Sequence, residues 1–345
     1  MKRVLLFLPL VFVTLSVCFL GCSSSEVEVR DVRLAHALNT QHPVHKGMIR
    51  LAELVSEYSE GSIQMTVFPN QQLGSERQML ELLQLGSIGM TKVSSAAIEN
   101  FVPDLRVFGL PYLFENEAHI LRVLNGEIGK DLLLAGEPYW LRGLTYFDAG
   151  KRSFYTKEAP ILHPDDLNGL KIRVMESQMS MNMIREMDGS PTPISFGELY
   201  TALQQGVVDG AENNPPSYMT SRHYEVARNY SLDEHTMLPD MLVISTLLWE
   251  QLSDEEQGWV QTAADSAARY QRQVWKEAEV EALKIIEEDG VEIHYPDKAP
   301  FMEATAALYE SYKESDPELY QLIQRIVAAR TSPEAVEMME IKEDS

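Results

Sequence analysis

The chain has 345 residues, of which 45% are hydrophobic and 23% are charged, which is typical of globular proteins and suits two or three domains. Asp and Glu total 52 against 29 for Lys and Arg, so the formal net charge is -23. A charge of this sign and size argues against nucleic acid and anionic lipid as partners.

The N-terminus predicts export. A basic start is followed by an almost unbroken apolar run over residues 4–20, too short for a membrane span, and then by small and polar residues. We therefore predict a signal peptide over residues 1–21. The Phe-Leu-Gly-Cys run at 19–22 resembles a bacterial lipobox, with Phe where Leu is usual, and makes Cys22 a candidate for lipidation. Simple cleavage is the alternative, so residues 22–30 form either a lipidated or a flexible linker.

Cysteine usage agrees with this interpretation. The two cysteines, Cys18 and Cys22, both lie in the exported segment, so the mature chain has no disulfide and no thiol nucleophile. The hydrophobic core alone must hold the fold, which a chain of this length can provide.

The first third of the chain alternates between strand and helix patterns. Apolar residues recur every second position in the predicted strands and at helical spacing in the predicted helices. The strands are predicted at 27–37, 62–68 and 88–93, and the helices at 45–60 and 75–85. This alternation is the signature of an α/β fold.

The middle third continues the same rhythm. Strands are predicted at 144–148, 152–156, 171–175 and 207–211, a helical turn at 163–167, and helices at 180–187 and 195–205. Ser195 and Glu198 have the spacing of a capping box, and Gly206 marks the end of the last helix.

Residues 253–288 form the longest helical pattern, which begins at Ser253 with an acidic first turn. A single helix of this length would extend roughly 50 Å and could support two lobes. Two helices broken near Gly258 are the alternative. Residues 331–345 form an acidic tail.

Two arginines are the first candidates for a binding site. Arg152 and Arg173 lie beside predicted strands, in a stretch (141–173) with six basic and four acidic residues. A guanidinium can hold a carboxylate through two parallel hydrogen bonds, whereas a structural ion pair is the alternative for either arginine alone. Asn213 follows a strand, where ligands of open α/β sheets bind, or is only a turn residue. Phe196 can pack on a ligand or in the core.

No motif indicates metal binding or catalysis. The five histidines considered lack the acidic or thiolate neighbours of a zinc site: His36, His42, His45, His223 and His235. The GxSxG and HExxH signatures are absent from the sequence. We therefore expect neither a metal nor a cofactor, and a protein that is not an enzyme.

Several motifs together resemble the DctP-type solute-binding receptors of TRAP (tripartite ATP-independent periplasmic) transporters. They are LGSER at 73–77, KIRV at 171–174, SPTP at 190–193, ELYTALQ at 198–204 and VDGAEN at 208–213. The resemblance extends over residues 32–328, with the motifs in order and correctly spaced.

The resemblance implies a two-lobed periplasmic-binding-protein-like α/β fold with mixed sheets, a hinge and a long helix spanning both lobes. Lobe I would comprise residues 31–150 plus 239–278, and lobe II residues 151–238 plus 279–330. The protein would lie in the periplasm or on the outer face of a bacterial membrane, contact the membrane only through a possible lipid anchor, and deliver its ligand to separate TRAP permease subunits.

The resemblance also assigns site residues. Arg173 would bind the ligand carboxylate with Asn213 as its partner, and Arg152 would be a second arginine. The remaining residues expected to line the cleft are Glu76, Lys92, Ser94, Glu176, Phe196 and His235, with His36 as a weaker candidate.

Local sequences such as RSFYT and ENNPPSY resemble the branch that takes hexuronates and aldonates. The ligand hydroxyls would then bond to Glu76, Lys92, Arg152 and His235. A receptor for C4-dicarboxylates or keto acids is the alternative within the family. A secreted sugar-acid enzyme with Glu76 or His235 as base, or the ligand domain of a sensor, are the alternatives outside it.

Overall fold

The computed structural model describes residues 29–331. The predicted signal peptide, Cys22 and the acidic tail beyond Thr331 lie outside the described residues.

The described chain contains eleven strands. In chain order they are β1 (Arg30–His36), β2 (Ile63–Phe68), β3 (Met90–Ser94), β4 (Leu141–Phe147), β5 (Arg152–Thr156), β6 (Lys171–Val174), β7 (Ser190–Pro193), β8 (Gly210–Asn213), β9 (Asn229–Thr236), β10 (Asp240–Ser245) and β11 (Glu292–His294).

The strands form two mixed sheets. The first has the order β2-β1-β3-β10-β4, in which β1 is parallel to β2 and β3, and β10 is antiparallel to β3 and β4. The second has the order β11-β9-β5-β8-β6-β7, in which β5 is antiparallel to β8 and β9. Residues 148–151 and 237–239 connect the two sheets, so a pair of short links joins two lobes, as the resemblance implied.

Twelve α-helices accompany the sheets in the described residues. They are α1 (Pro43–Tyr58), α2 (Glu76–Gln84), α3 (Ser95–Ile98), α4 (Glu117–Asn125), α5 (Glu127–Leu134), α6 (Gln178–Glu186), α7 (Leu199–Gln204), α8 (Pro215–Thr220), α9 (Thr246–Trp249), α10 (Asp254–Glu288), α11 (Ala299–Ser315) and α12 (Pro317–Ala328).

Helix α10 is continuous through Gly258, so the alternative of two helices is wrong. A capping box between Ser253 and Glu256 fixes its start, and buried side chains hold it to both lobes. Trp275 belongs to the hydrophobic cluster of the first sheet, whereas Ile286 belongs to that of the second. Burial along its length outweighs the roughly 1 kcal/mol that one glycine costs a helix.

The C-terminal helices bridge the lobes. Helix α11 packs on α6 in the second lobe, whereas α12 returns to the 3-10 helix Pro103–Gly109 in the first. The His119 ring on α4 hydrogen-bonds the Ile326 carbonyl on α12 at 2.9 Å. The lobe boundaries stay a prediction, and α12 crosses the predicted division because its apolar face packs on lobe I elements.

The predicted helix at 195–205 differs from the observed structure. A 3-10 turn, Phe196–Glu198, precedes the shorter α7. Ser195 does not cap a backbone N–H, because its hydroxyl donates to the Glu198 carboxylate at 2.6 Å. The strand predicted at 207–211 instead spans Gly210–Asn213, since the Asp209 side chain accepts from the Lys171 backbone at 2.8 Å and ends the preceding turn.

Candidate ligand-binding cleft

A cleft lies between the two sheets. The carboxyl ends of β3, β6 and β8 point into it, together with the first residues of β5 and β10. This is where ligands of open α/β sheets bind. The cleft thus has two facing walls, one from each lobe, whose side chains are distant in sequence.

Arg173 on β6 provides an unbalanced positive charge on the lobe II wall. Its side chain is 1% exposed, and its Nε donates to the Ile194 carbonyl at 2.8 Å. Its Nη1 is buried without a hydrogen-bond partner among residues 29–331. Burial lowers the pKa of Arg173 from its usual value. A buried cation whose donor has no partner is costly unless an anion joins it.

Arg152 on β5 is, in contrast, already paired. Its guanidinium donates to both carboxylate oxygens of Glu212 and to the Glu212 carbonyl. Its Nη1 donates to Asn213 Oδ1 at 2.9 Å, and the same oxygen accepts from the Asn214 backbone. Asn213 is therefore held in one orientation by the arginine and the turn.

A buried ionic chain continues behind Glu212. The His235 ring donates from Nδ1 to Asp233 Oδ2 at 2.7 Å, and its Nε2 lies 3.5 Å from Glu212 Oε2. Burial alone would lower the pKa of His235, but Asp233 and Glu212 raise it to about 9. Burial alone would raise the pKa of Glu212, but Arg152 and His235 lower it to about 2. Glu212 and His235 are therefore charged at neutral pH, and the ion pair with Glu212 fixes the orientation of Arg152.

The lobe I wall carries a second buried cluster. Lys92 Nζ lies 3.0 Å from Asp240 Oδ2 and 3.4 Å from Glu76 Oε1. Glu76 Oε1 also accepts from the Ser94 backbone at 3.3 Å. Burial by itself lowers the pKa of Lys92, but the two carboxylates raise it above its usual value. This cluster presents carboxylate oxygens and an ammonium group, which suit hydroxyl groups of a ligand.

Eight of the ten predicted site residues line this cleft. They are Glu76, Lys92, Ser94, Arg152, Arg173, Glu176, Phe196 and Asn213. Glu176 is exposed at the rim, where its carbonyl accepts from Asn100 at 2.5 Å. The ring of Phe196 contacts that of His223 edge-on, with 5.7 Å between centroids.

His36 and His235 were predicted to line the cleft, but neither does. His235 is fully buried, because Asp233 and Glu212 hold it behind the wall that carries Arg152. His36 is also fully buried, and its Nδ1 accepts from the Leu38 backbone at 3.2 Å. Burial and nearby Lys92 lower the pKa of His36 to about 3, so the ring is neutral.

Sequence reasoning missed Asp240 and His42 among the residues that line the cleft. Asp240 is the first residue of β10 and follows Pro239. This Pro-Asp pair was its only signal in the sequence. His42 caps α1 and reaches Ser217 Oγ on the opposite lobe at 3.1 Å. A contact between lobes leaves no periodic pattern in sequence.

Within residues 29–331, no group of three or more His, Cys, Asp or Glu side chains is arranged to hold a metal ion. In the same part of the chain, no helix is both long and apolar enough to cross a membrane.

Residues 34–315 match the DctP family, described as bacterial extracellular solute-binding protein family 7. The chain belongs to this family.

The relatives include named binding proteins and solved structures. The sialic acid-binding periplasmic protein SiaP of Vibrio cholerae is 30% identical over 303 residues, which cover 87% of this chain and 94% of SiaP. Receptors of this family bind organic acids outside the cytoplasm and work with a TRAP permease, so this chain is an extracytoplasmic TRAP receptor.

Two solved TRAP periplasmic solute-binding proteins share its fold. One from Bradyrhizobium sp. contains bound galacturonate; it is 39% identical with a TM-score of 0.84, and the match covers 87% of this chain and 100% of the other. One from Roseobacter denitrificans contains bound β-D-glucuronate; it is 37% identical with a TM-score of 0.84, and the match covers 86% and 99%. These similarities confirm the predicted two-lobed fold and receptor family.

Proposed function

We propose that this receptor binds a hexuronate or a closely related sugar acid, with the carboxylate on Arg173 and Asn213 and the hydroxyls on the lobe I wall. The observation that carries the proposal is the buried Nη1 of Arg173, which lacks a partner among residues 29–331. A bound carboxylate would satisfy this donor and neutralise the guanidinium.

The lobe I wall supports a polyhydroxylated ligand. Lys92, Glu76 and Asp240 offer donors and acceptors that a purely apolar ligand skeleton would leave unmatched. The solved relatives with bound glucuronate and galacturonate favour the same ligand class. Arg152 supports the site mainly through Asn213, because Glu212 already balances its charge.

The proposal includes closure of the lobes around the ligand. Contacts between the lobes support it: Asn39 Nδ2 donates to the Thr220 carbonyl at 2.8 Å, and Met179 N donates to Glu99 Oε1 at 3.3 Å. Ligand contacts on both walls would shift the population toward this closed arrangement.

The receptor would release its ligand unchanged, as a transport protein and not as an enzyme. A turnover assay with glucuronate and galacturonate tests this part, since any product formed in proportion to time would contradict it.

We further propose that Cys22 carries a lipid anchor. Replacement by Cys22→Ala should then move the exported protein from the membrane to the soluble fraction, and an unchanged distribution would rule the anchor out.

A thermal-shift screen tests the ligand class directly. Uronates, aldonates, C4-dicarboxylates and keto acids would be compared at equal concentration. A ligand present at a hundredfold excess over its Kd stabilises the folded state by about 2.7 kcal/mol. We expect the largest shifts with hexuronates. A larger shift with a C4-dicarboxylate or keto acid would overturn the proposed ligand class.

A further inference from the structure

The buried charges of the lobe I wall do not cancel. Lys92 is 2% exposed and Asp240 is 6% exposed, and the Glu76 carboxylate completes the cluster. Two carboxylates around one ammonium group give this wall a formal net negative charge, with burial raising the pKa of Glu76 and Lys92 acting to lower it. Because the cluster is buried, solvent and salt screen this charge only weakly.

The lobe II wall has the opposite balance. Glu212 neutralises Arg152 through a bidentate ion pair, whereas Arg173 has no carboxylate partner within 4 Å in the described part of the chain. One net positive charge therefore faces the cleft from lobe II. At the rim, Arg77 is exposed and pairs with Glu81, so solvent screens its charge.

We propose that the Glu76–Lys92–Asp240 cluster makes the receptor selective for acids with a single carboxylate and excludes acids that carry a second one at the far end. This inference rests on the proposed function, because it assumes that the ligand carboxylate occupies Arg173. The two walls then bind different ends of the ligand. Lobe II binds the end with one negative charge, and lobe I binds the end with neutral hydroxyl groups.

Hydroxyl groups match the lobe I cluster because they donate to the carboxylates and accept from Lys92. A second ligand carboxylate would place a third negative charge beside a single ammonium group. It has no proton to donate to Glu76 or Asp240, and it would lose its own hydration on entering the cleft. The cluster therefore acts against dicarboxylic acids while remaining favourable to polyhydroxylated monoacids.

The test compares a monoacid with the dicarboxylic acid of the same configuration. The pairs are D-glucuronate with D-glucarate and D-galacturonate with galactarate, measured by calorimetry at neutral pH. We expect the wild-type receptor to bind the monoacid at least about a hundredfold more tightly, since like charges brought together in a desolvated cleft oppose binding. Binding of neither uronate would contradict the proposed function itself.

Two variants separate charge from shape. Glu76→Gln and Asp240→Asn each remove one negative charge at nearly constant volume, and either one should reduce the preference for the monoacid at least about tenfold. Glu53→Gln removes an equal charge on the outer surface of α1 and should leave the preference unchanged. Circular dichroism would verify folding of each variant. A preference that is unchanged in both cleft variants, or a diacid that stays undetectable in them, would overturn the inference.

Discussion

At the residue scale, the site depends on which charges already have partners. The residue pattern alone does not distinguish Arg152 from Arg173, and the family resemblance assigns the ligand carboxylate to Arg173. Among the described residues, Glu212 neutralises only Arg152. The buried His235 does not line the cleft. It supports the cleft indirectly, because it holds Glu212 against Arg152. Under the proposed function, a ligand would meet the guanidinium of Arg173, which has no carboxylate partner among residues 29–331, and an amide that is fixed in orientation.

Replacement of Arg173 tests this difference. Arg173→Ala should weaken hexuronate binding at least about a hundredfold, because a ligand carboxylate would be left unpaired in a closed cleft. Calorimetry would measure the loss, and Arg185→Ala, an exposed arginine on α6, is the matched control with unchanged affinity. Equal affinities for wild type and Arg173→Ala would remove Arg173 from the site.

The raised pKa of His235 predicts a pH dependence of stability. Because the folded pKa is about 9, its contribution is fully present below about pH 6.5 and is lost as the pH rises through 9. The stability difference between wild type and His235→Gln should therefore shrink by up to about 3 kcal/mol over this interval. Urea unfolding at several pH values would measure it, and a difference that stays constant with pH would contradict the ionised chain.

At the element scale, capping and packing decide where helices begin and whether they continue. Ser253 and Glu256 form the capping box that their spacing predicts, whereas Ser195 and Glu198 have the same spacing and form none. In the second case the Ser195 hydroxyl bonds the Glu198 side chain directly. The same spacing of Ser and Glu thus forms a capping box at one site and a side-chain hydrogen bond at the other, depending on the surrounding backbone.

Two glycines provide a matched test of local backbone preference. An added Cβ would meet no atom within 4 Å at Gly258 or at Gly169, but Gly258 is helical and Gly169 has a φ of +78°. Gly258→Ala should raise the free energy of unfolding by about 0.5–1 kcal/mol, and Gly169→Ala should lower it by a similar amount. Thermal or urea unfolding measures both. Destabilisation by Gly258→Ala would contradict an uninterrupted α10.

At the scale of the whole molecule, two short links and the continuous α10 join the lobes, and His42 contacts Ser217 and Asn39 contacts Thr220 across the cleft. Ligand binding and lobe closure should therefore be coupled, since the ligand contributes contacts to both walls.

Spin labels across the cleft test this coupling. The chain has no cysteine after Cys22, so Glu81→Cys and Gln204→Cys can place labels on exposed positions of α2 and α7 in protein that starts at Ser23. We expect the distance between labels to shorten and its distribution to narrow when a hexuronate binds. A label pair within lobe I, at Glu53 and Glu81, is the control. Identical distributions with and without ligand would exclude closure.

Much of the fold could be predicted from local pattern. The strand at 152–156 and the helix at 75–85 agree closely with β5 and α2, because apolar periodicity and an N-cap serine act over a few residues. The short strand β7 was not predicted, since its prolines and lack of apolar residues give no strand pattern. Pairing with β6 alone makes it a strand.

The sequence by itself determined the α/β class and, through its resemblance to a known family, the receptor family and eight of the residues that line the cleft, because motifs and periodicity are local properties. Only the tertiary structure decided how their charges are balanced. It pairs Arg152 with Glu212, gives Arg173 no carboxylate partner among residues 29–331, buries His36 and His235 away from the cleft, and brings Asp240 beside Lys92 from 148 positions away. Electrostatic interactions depend on distance and burial, and chain folding alone sets both.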